Sequence, residues 1–417
     1  MNSIKGFSPL RNDALSIARA AIDAVKPDEA VKRALVDISF AGNVYLVAVG
    51  KAAWQMAAAA VKHLNHPVTD GIVLTKYSHV MGNIPGITCY EAGHPVPDNN
   101  SYIGTEAILN MTANLEPTDT VLFLLSGGGS ALFEKPLATP EVMQEATRRM
   151  LASGADIVQM NTIRKRLSAV KGGKFAKWCA PAKIEAVVLS DILGDPLDMI
   201  ASGPAVADSS TCEQAIEIAK KYNLIVDDSV HRCLCIETPK DVDNVHTQVV
   251  GSVKELCAAA ESAAKRLGYE TVFLTDKLNY EAKEAGAYLG ELLSQNKDAG
   301  KKVAFIAGGE TVVKLTGTGL GGRNQELALS AAKNIAGIPN VALISVGSDG
   351  TDGPTDAAGG FVDGNTLADL EKQGIDYAAM LQNNDSYHAL RAINGLVITG
   401  PTGTNVNDVV IGLVRKQ

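Results

Sequence analysis

Continuous apolar runs are the feature that most narrows the folds open to this chain. "VYLVAVG", "GIVLTK", "TVLFLLSGGG" and "EAVVLSD" do not alternate apolar with polar residues, so each reads as a strand buried on both faces. Ala-rich helical patterns such as "KAAWQMAAAAVKHL" and "TPEVMQEATRRMLASG" lie between them. Strand and helix in alternation make βαβ units, which implies a largely parallel, Rossmann-like sheet with helices on both faces. A polar stretch, "IETPKDVDNVHTQVV", precedes a second series that includes "SVKELCAAAESAAKRLG", "ETVFL", "KVAFIAGGE" and "NVALISVGSDG". The 417 residues are too many for one ordinary core. The expected organisation is therefore two α/β domains, residues 1–240 and 241–417.

Composition removes several function classes. Thirty-eight basic and 46 acidic residues leave a net charge of −8, the wrong sign for a nucleic-acid partner. Six cysteines show no C-x-x-C and no metal-ligand spacing, as expected of reduced thiols in the cytosol. The start, "MNSIKGFSPLRNDAL", lacks a charged-then-apolar signal, and "TVLFLLSGGGSALF" is too short and too glycine-broken to span a bilayer. A cytoplasmic protein without a membrane partner is expected.

Open α/β sheets bind ligands beyond the carboxyl ends of their strands, where this chain concentrates its unusual residues. Lys51 follows the strand "VYLVAVG" and suits an anion there, the alternative being a solvated surface lysine. Ser126, Gly127, Gly128, Gly129 and Ser130 follow another strand, and three glycines allow a nest of N–H groups facing an anion. The loop is neither a Walker A sequence nor a G-x-S-x-G elbow. Asp191 and Asp195 can hold Mg²⁺ or, for Asp191, accept a hydroxyl proton; helix capping and Asp-Pro turns compete with that reading. Asp349 and Asp352 lie among glycines and fit either Mg²⁺–phosphate or ribose contacts or Asp-Gly turns. The basic run "RKRLSAVKGGK" is either a solvated face or turns Arg164 and Lys171 towards an anionic substrate. His94, in "EAGHPVPDNNS", stands in a loop where it could touch substrate.

The stretch "TGTGLGGRNQEL" spells G-x-G-x-x-G with Gly317, Gly319 and Gly322, the pattern of a dinucleotide site, and continues with Arg323, Asn324 and Gln325. A dehydrogenase places an acidic ribose ligand about 20 residues further on. Ala342 stands there, inside the apolar run "VALISV", and Asp349 lies too far along. The run "TVVKL" ahead of the loop reads as a strand, so context alone leaves a nicotinamide cofactor open. A cradle for phosphate or carboxylate that ends in a working arginine is the better fit.

Eight motifs in order resemble the glycerate 2-kinases, whose C-terminal part is the MOFRL domain and whose N-terminal part is of the DUF4147 type. They are "VGKAA", "GHPVPD", "LSGGGSAL", "MNTIRKRLSAVKGG", "SDILGDPLDMIASGP", "GGETVVKLTGTGLGGRNQELAL", "SDGTDGPTDAAG" and "GPTGTNVND". The resemblance implies two α/β domains with the active site in the cleft between them. It also implies transfer of phosphate from ATP, with Mg²⁺, to the 2-hydroxyl of D-glycerate. Lys51 and Arg323 match the family's catalytic lysine and arginine. Members are often labelled hydroxypyruvate reductases, an NAD(P)H-dependent activity, which stands as the alternative. A homodimer is the assembly expected beside a monomer.

Overall fold

A computed structural model describes residues 8–190, 192, 194 and 196–415. The first sheet contains β1 (Val44–Val49), β2 (Asp70–Lys76), β3 (Ile87–Ala92), β4 (Thr120–Leu125), β5 (Lys183–Leu189) and β6 (Val245–Gly251). Its order is β3-β2-β1-β4-β5-β6. The pairs β1–β2, β2–β3, β1–β4 and β4–β5 are all parallel. The continuous apolar runs are explained by two cores, one on each face. Val47, Val49, Leu74, Val121, Phe123 and Val188 enter one core, while Leu46, Ala48, Val73, Leu122, Leu124 and Val187 enter the other. Successive side chains point to opposite faces, so a strand covered twice must be apolar throughout.

The second sheet contains β7 (Glu270–Leu278), β8 (Val303–Gly309), β9 (Val341–Gly347), β10 (Gly359–Asp363), β11 (Leu396–Val397) and β12 (Asp408–Val414), in the order β11-β10-β9-β12-β8-β7. Here β12 runs antiparallel between β8 and β9, and β10 is antiparallel to β9, whereas β7 and β8 are parallel. The chain is thus α/β as expected, with this second sheet mixed. The run "TVVKL" forms no strand; only Val312 makes an isolated bridge, to Glu281. Its apolar residues Val312 and Leu315 are exposed, so the run is not the doubly buried strand that its composition suggested.

The chain divides into one compact unit of Ala30–Val250 and another of Met1–Glu29 with Gly251–Gln417. This differs from a single cut at residue 240 in two ways. The polar stretch before residue 250 supplies β6, the edge of the first sheet. The helix Pro9–Ala24 packs on the helix Val253–Arg266 and on β9 and β12, burying Leu10, Ala14, Ile17, Ala18, Ala21 and Ile22. An N-terminal segment can join a distant sheet because only tertiary packing, not local pattern, decides which sheet an amphipathic helix covers.

Candidate active site

Strand order reverses between β1 and β4 in the first sheet. A crevice opens beyond the carboxyl ends at such a switch point. The turns that leave these two strands are tied together. Lys51 N donates to Gly127 O at 2.9 Å, Ala52 N donates to Ser126 Oγ at 3.1 Å, and Ser126 N donates to Val49 O at 2.9 Å. Gly50 has φ +122°, and a Cβ there would lie 2.2 Å from Ser126 Oγ. Ser126 is buried and serves this junction rather than facing a ligand.

Gly128, at φ +89°, precedes the short helix Gly129–Leu132. A Cβ on Gly128 would sit 3.1 Å from His94 Cδ2 and 3.2 Å from Lys51 Cε, so the imidazole and the lysine stem both lie against this glycine. Among the described residues, no acceptor engages the N–H groups of Gly127, Gly128, Gly129 or Ser130. The N–H nest expected from the sequence is therefore open.

The surrounding charge is positive. Lys76 ends β2 and, like Lys51, has no ion-pair partner among the described residues. His79 Nδ1 lies 2.9 Å from Lys51 O. Burial, then the charges of Lys51, Lys76 and His79, hold the His94 imidazole below its ordinary range, so it is neutral at pH 7. Unpaired cations, free N–H groups and a neutral imidazole at one strand edge make a site for an anion.

The basic run resolves residue by residue. Lys171 is fully buried and donates to Phe133 O and Glu134 Oε2, both at 2.7 Å. Burial lowers its pKa, with Glu134 opposing that shift. It is an internal strut, not a substrate ligand. Lys165 pairs with Asp198 and Asp208, and Arg166 with Asp208 and Ser210. Lys174 donates to Lys165 O and Ser168 O, and burial brings its pKa down to about 8. Arg164 is half-buried and has no such partner among the described residues. Asp191 and Asp195 lie outside the described residues, and no cluster of three metal-ligating side chains occurs among those described.

The second glycine loop is built differently. Thr316 N and Gly317 N donate to Asn384 Oδ1, Thr318 N to Asn383 Oδ1, Gly319 N to Asn383 O, and Leu320 N to Asp385 Oδ1. A Cβ on Gly319 would lie 2.4 Å from Asp385 Cβ, and one on Gly322 would lie 2.3 Å from Asp352 Cγ. These glycines admit neighbouring protein, not a phosphate: the expected anion cradle is filled at Gly319 by Asn383 and Asp385 and at Gly322 by Asp352.

The helix Arg323–Ile335 that follows has its own anion. Asp352 is buried and accepts from Asn324 N at 3.1 Å and Gln325 N at 2.9 Å, satisfying two of the free donors at the helix start. The Gln325 side chain donates to Asp352 and Thr355, while the Asn324 amide accepts from Ser345 Oγ. Asp352, Asn324 and Gln325 are thus engaged with one another. Asp349 accepts from Thr351 N at 2.9 Å, the Asp-Gly turn reading of that segment.

Arg323 makes a bidentate pair with Asp408, at 2.6 Å and 3.0 Å, and reaches Glu310 at 2.9 Å. Asp408 opens β12 opposite Gly309 and Gly347, the last residues of β8 and β9. Arg323 therefore stands at the carboxyl edge of those strands, as expected, but as a paired cation. Burial pushes the Asp408 carboxyl up to about 6, against the pull of Arg323. Asp408, Glu310, Lys76 and His79 were not singled out from the sequence. The final Asp of "GPTGTNVND" was the available signal for Asp408, and for Lys76 the strand end itself.

Two family profiles match the chain: "Domain of unknown function (DUF4147)" over residues 13–235 and "MOFRL family" over residues 303–408. A D-glycerate 2-kinase from Thermotoga maritima is 50% identical over 98% of this chain and 100% of its own length. A glycerate 2-kinase from Pyrococcus horikoshii is 41% identical over 96% of this chain and 94% of its own. The crystal structure of a glycerate kinase from Thermotoga maritima superposes with a TM-score of 0.93, at 50% identity, covering 97% of this chain and 99% of that one. The chain belongs to the glycerate 2-kinase family, in which a DUF4147 domain is followed by a MOFRL domain, as its eight motifs implied.

Proposed function

We propose that the protein is an ATP-dependent glycerate 2-kinase, which moves the γ-phosphate of ATP to the 2-hydroxyl of D-glycerate and gives 2-phosphoglycerate and ADP. The observation that carries this reading is the anion site at the β1/β4 switch point, where Lys51, Lys76 and four N–H groups without an acceptor among the described residues meet. Phosphoryl transfer asks a protein mainly for positioning and for stabilisation of charge on the transferred group. Lys51 supplies a point charge to phosphate oxygens, and the N–H groups of Gly127, Gly128, Gly129 and Ser130 supply directed donors. Arg323, the arginine of the family motif, is proposed as a further catalytic cation; within its own unit its guanidinium is held by Asp408 and Glu310.

Mg²⁺ fits this chemistry through one or two carboxylates together with nucleotide phosphates, and it would neutralise charge on those phosphates. Asp191 and Asp195 remain the candidates to hold it; Asp198 is tied to Lys165. The reductase reading is weakened because Asp352 takes the Asn324 and Gln325 N–H groups at the start of the helix Arg323–Ile335, where a pyrophosphate would sit, and residues 383–385 take those of Thr316 to Leu320. Two assays separate the readings. With D-glycerate, ATP and Mg²⁺, ADP should form in amounts that depend on glycerate. Oxidation of NADH by hydroxypyruvate without ADP formation in the first assay would overturn the kinase reading.

A further inference from the structure

Arg164 is the cation of the basic run left without a partner among the described residues. A guanidinium drawn partly into the protein without an acceptor is costly, and an incoming anion removes that cost. Its position on the helix Ile157–Leu167 is informative. Asn161, one turn earlier, shares its side of the helix. The Asn161 amide nitrogen lies 3.1 Å from Met199 Sδ, and a thioether can only accept, so Asn161 Oδ1 faces Ser202 and takes its hydroxyl proton at 2.8 Å. Ser202 has one hydrogen to give. The 3.0 Å contact between Ser130 Oγ and Ser202 Oγ must therefore use the hydrogen of Ser130. Ser130 Oγ is left with lone pairs to accept a further bond.

We propose that Arg164 and Ser130 form the subsite for the hydroxy-acid end of the substrate, the guanidinium fork taking the carboxylate and the Ser130 oxygen accepting from a hydroxyl. The proposal rests on the kinase reading and adds to it which residues choose the acceptor. Local charge favours a carboxylate over a polyphosphate. Glu134 and Lys171 neutralise one another, and Glu134 also acts on Arg164, so little more than one positive charge remains. Lys51 and Lys76 carry the larger charge that phosphates need. A planar fork matches a carboxylate with two parallel bonds, which a lysine cannot do. Arg323 cannot take this role with its Nε edge, because Asp408 already occupies it.

The test is a comparison of wild type, Arg164→Lys, Arg164→Ala and Ser130→Ala, each checked by thermal melting. Binding of D-glycerate, D-lactate and glycerol is measured by calorimetry without nucleotide, and KM and kcat are measured with ATP. For Arg164→Ala, glycerate binding should weaken on the order of 100-fold, from loss of a charged partner. Its KM for ATP should stay near wild type, and discrimination against glycerol should collapse. Arg164→Lys should recover part of the binding, and Ser130→Ala should weaken glycerate without restoring glycerol. Unchanged glycerate binding by a folded Arg164 variant would overturn the proposal, as would a loss confined to ATP. Wild type that binds small hydroxy acids through Arg164 yet forms no ADP would defeat the kinase reading and keep the subsite. Wild type that binds no carboxylate would defeat the subsite.

Discussion

His94 shows how one residue's surroundings set a measurable pH response. Burial and the charges of Lys51, Lys76 and His79 lower its pKa below the ordinary 6.5. As pH falls through that value, the unfolded chain takes up the proton before the folded one, so the stability that neutral His94 contributes is complete above 6.5 and lost below it. A bound polyanion acts in the opposite direction and raises the pKa. Binding of ADP or phosphate near pH 6 should therefore take up protons, seen as a dependence of calorimetric heat on the buffer's ionisation enthalpy. His94→Gln should reduce that uptake. Equal uptake in the variant would remove His94 from the anion site. This response was not legible in the sequence beyond a histidine in a loop, because Lys51, Lys76 and His79 come from the turn after β1, from β2 and from the turn after β2.

Two glycine-rich loops look alike as strings and differ as structures. The loop after β4 keeps its N–H groups free and sets Gly128 against Lys51 and His94. The loop before Arg323 spends the N–H groups of Thr316 to Leu320 on Asn383, Asn384 and Asp385. Gly128→Ala should cost about 1–2 kcal/mol for a left-handed alanine, and its methyl group should displace Lys51 and His94. Phosphate or ADP affinity should then fall well beyond what the loss of stability explains. Gly319→Ala meets the Asp385 backbone at 2.7 Å, so its main effect should be unfolding of its own unit. Thermal melts and ADP binding on both variants distinguish the two loops; equal losses of affinity without loss of stability would contradict the contrast. Sequence could place both loops at strand ends. It could not show that residues 383–385, far along the chain, fill the second.

The architecture was the most legible level of the molecule, because burial on both faces forces an unbroken apolar run and such runs are visible in the sequence. "VYLVAVG" and "TVLFLL" became the central strands of the first sheet, and Lys51 and the triple glycine fell at its switch point. Assignment of elements to units was less legible, since the helix Pro9–Ala24 follows the partners it buries rather than its place in the chain. Charged runs were the least legible, because pairing decides their meaning. Of the five cations from Arg164 to Lys174, partners found only in three dimensions absorb four.

Lys51→Met gives the most direct test that phosphoryl transfer is carried by the β1/β4 crevice. The side chain is half-buried and has no ion-pair partner among the described residues, so its replacement should leave the melting temperature nearly unchanged. Loss of a charge-stabilising group of this kind typically lowers the rate about 10²–10³-fold. Glycerate-dependent ADP formation should fall by that order in a folded variant. Near-normal kcat in folded Lys51→Met would contradict transfer at the β1/β4 crevice.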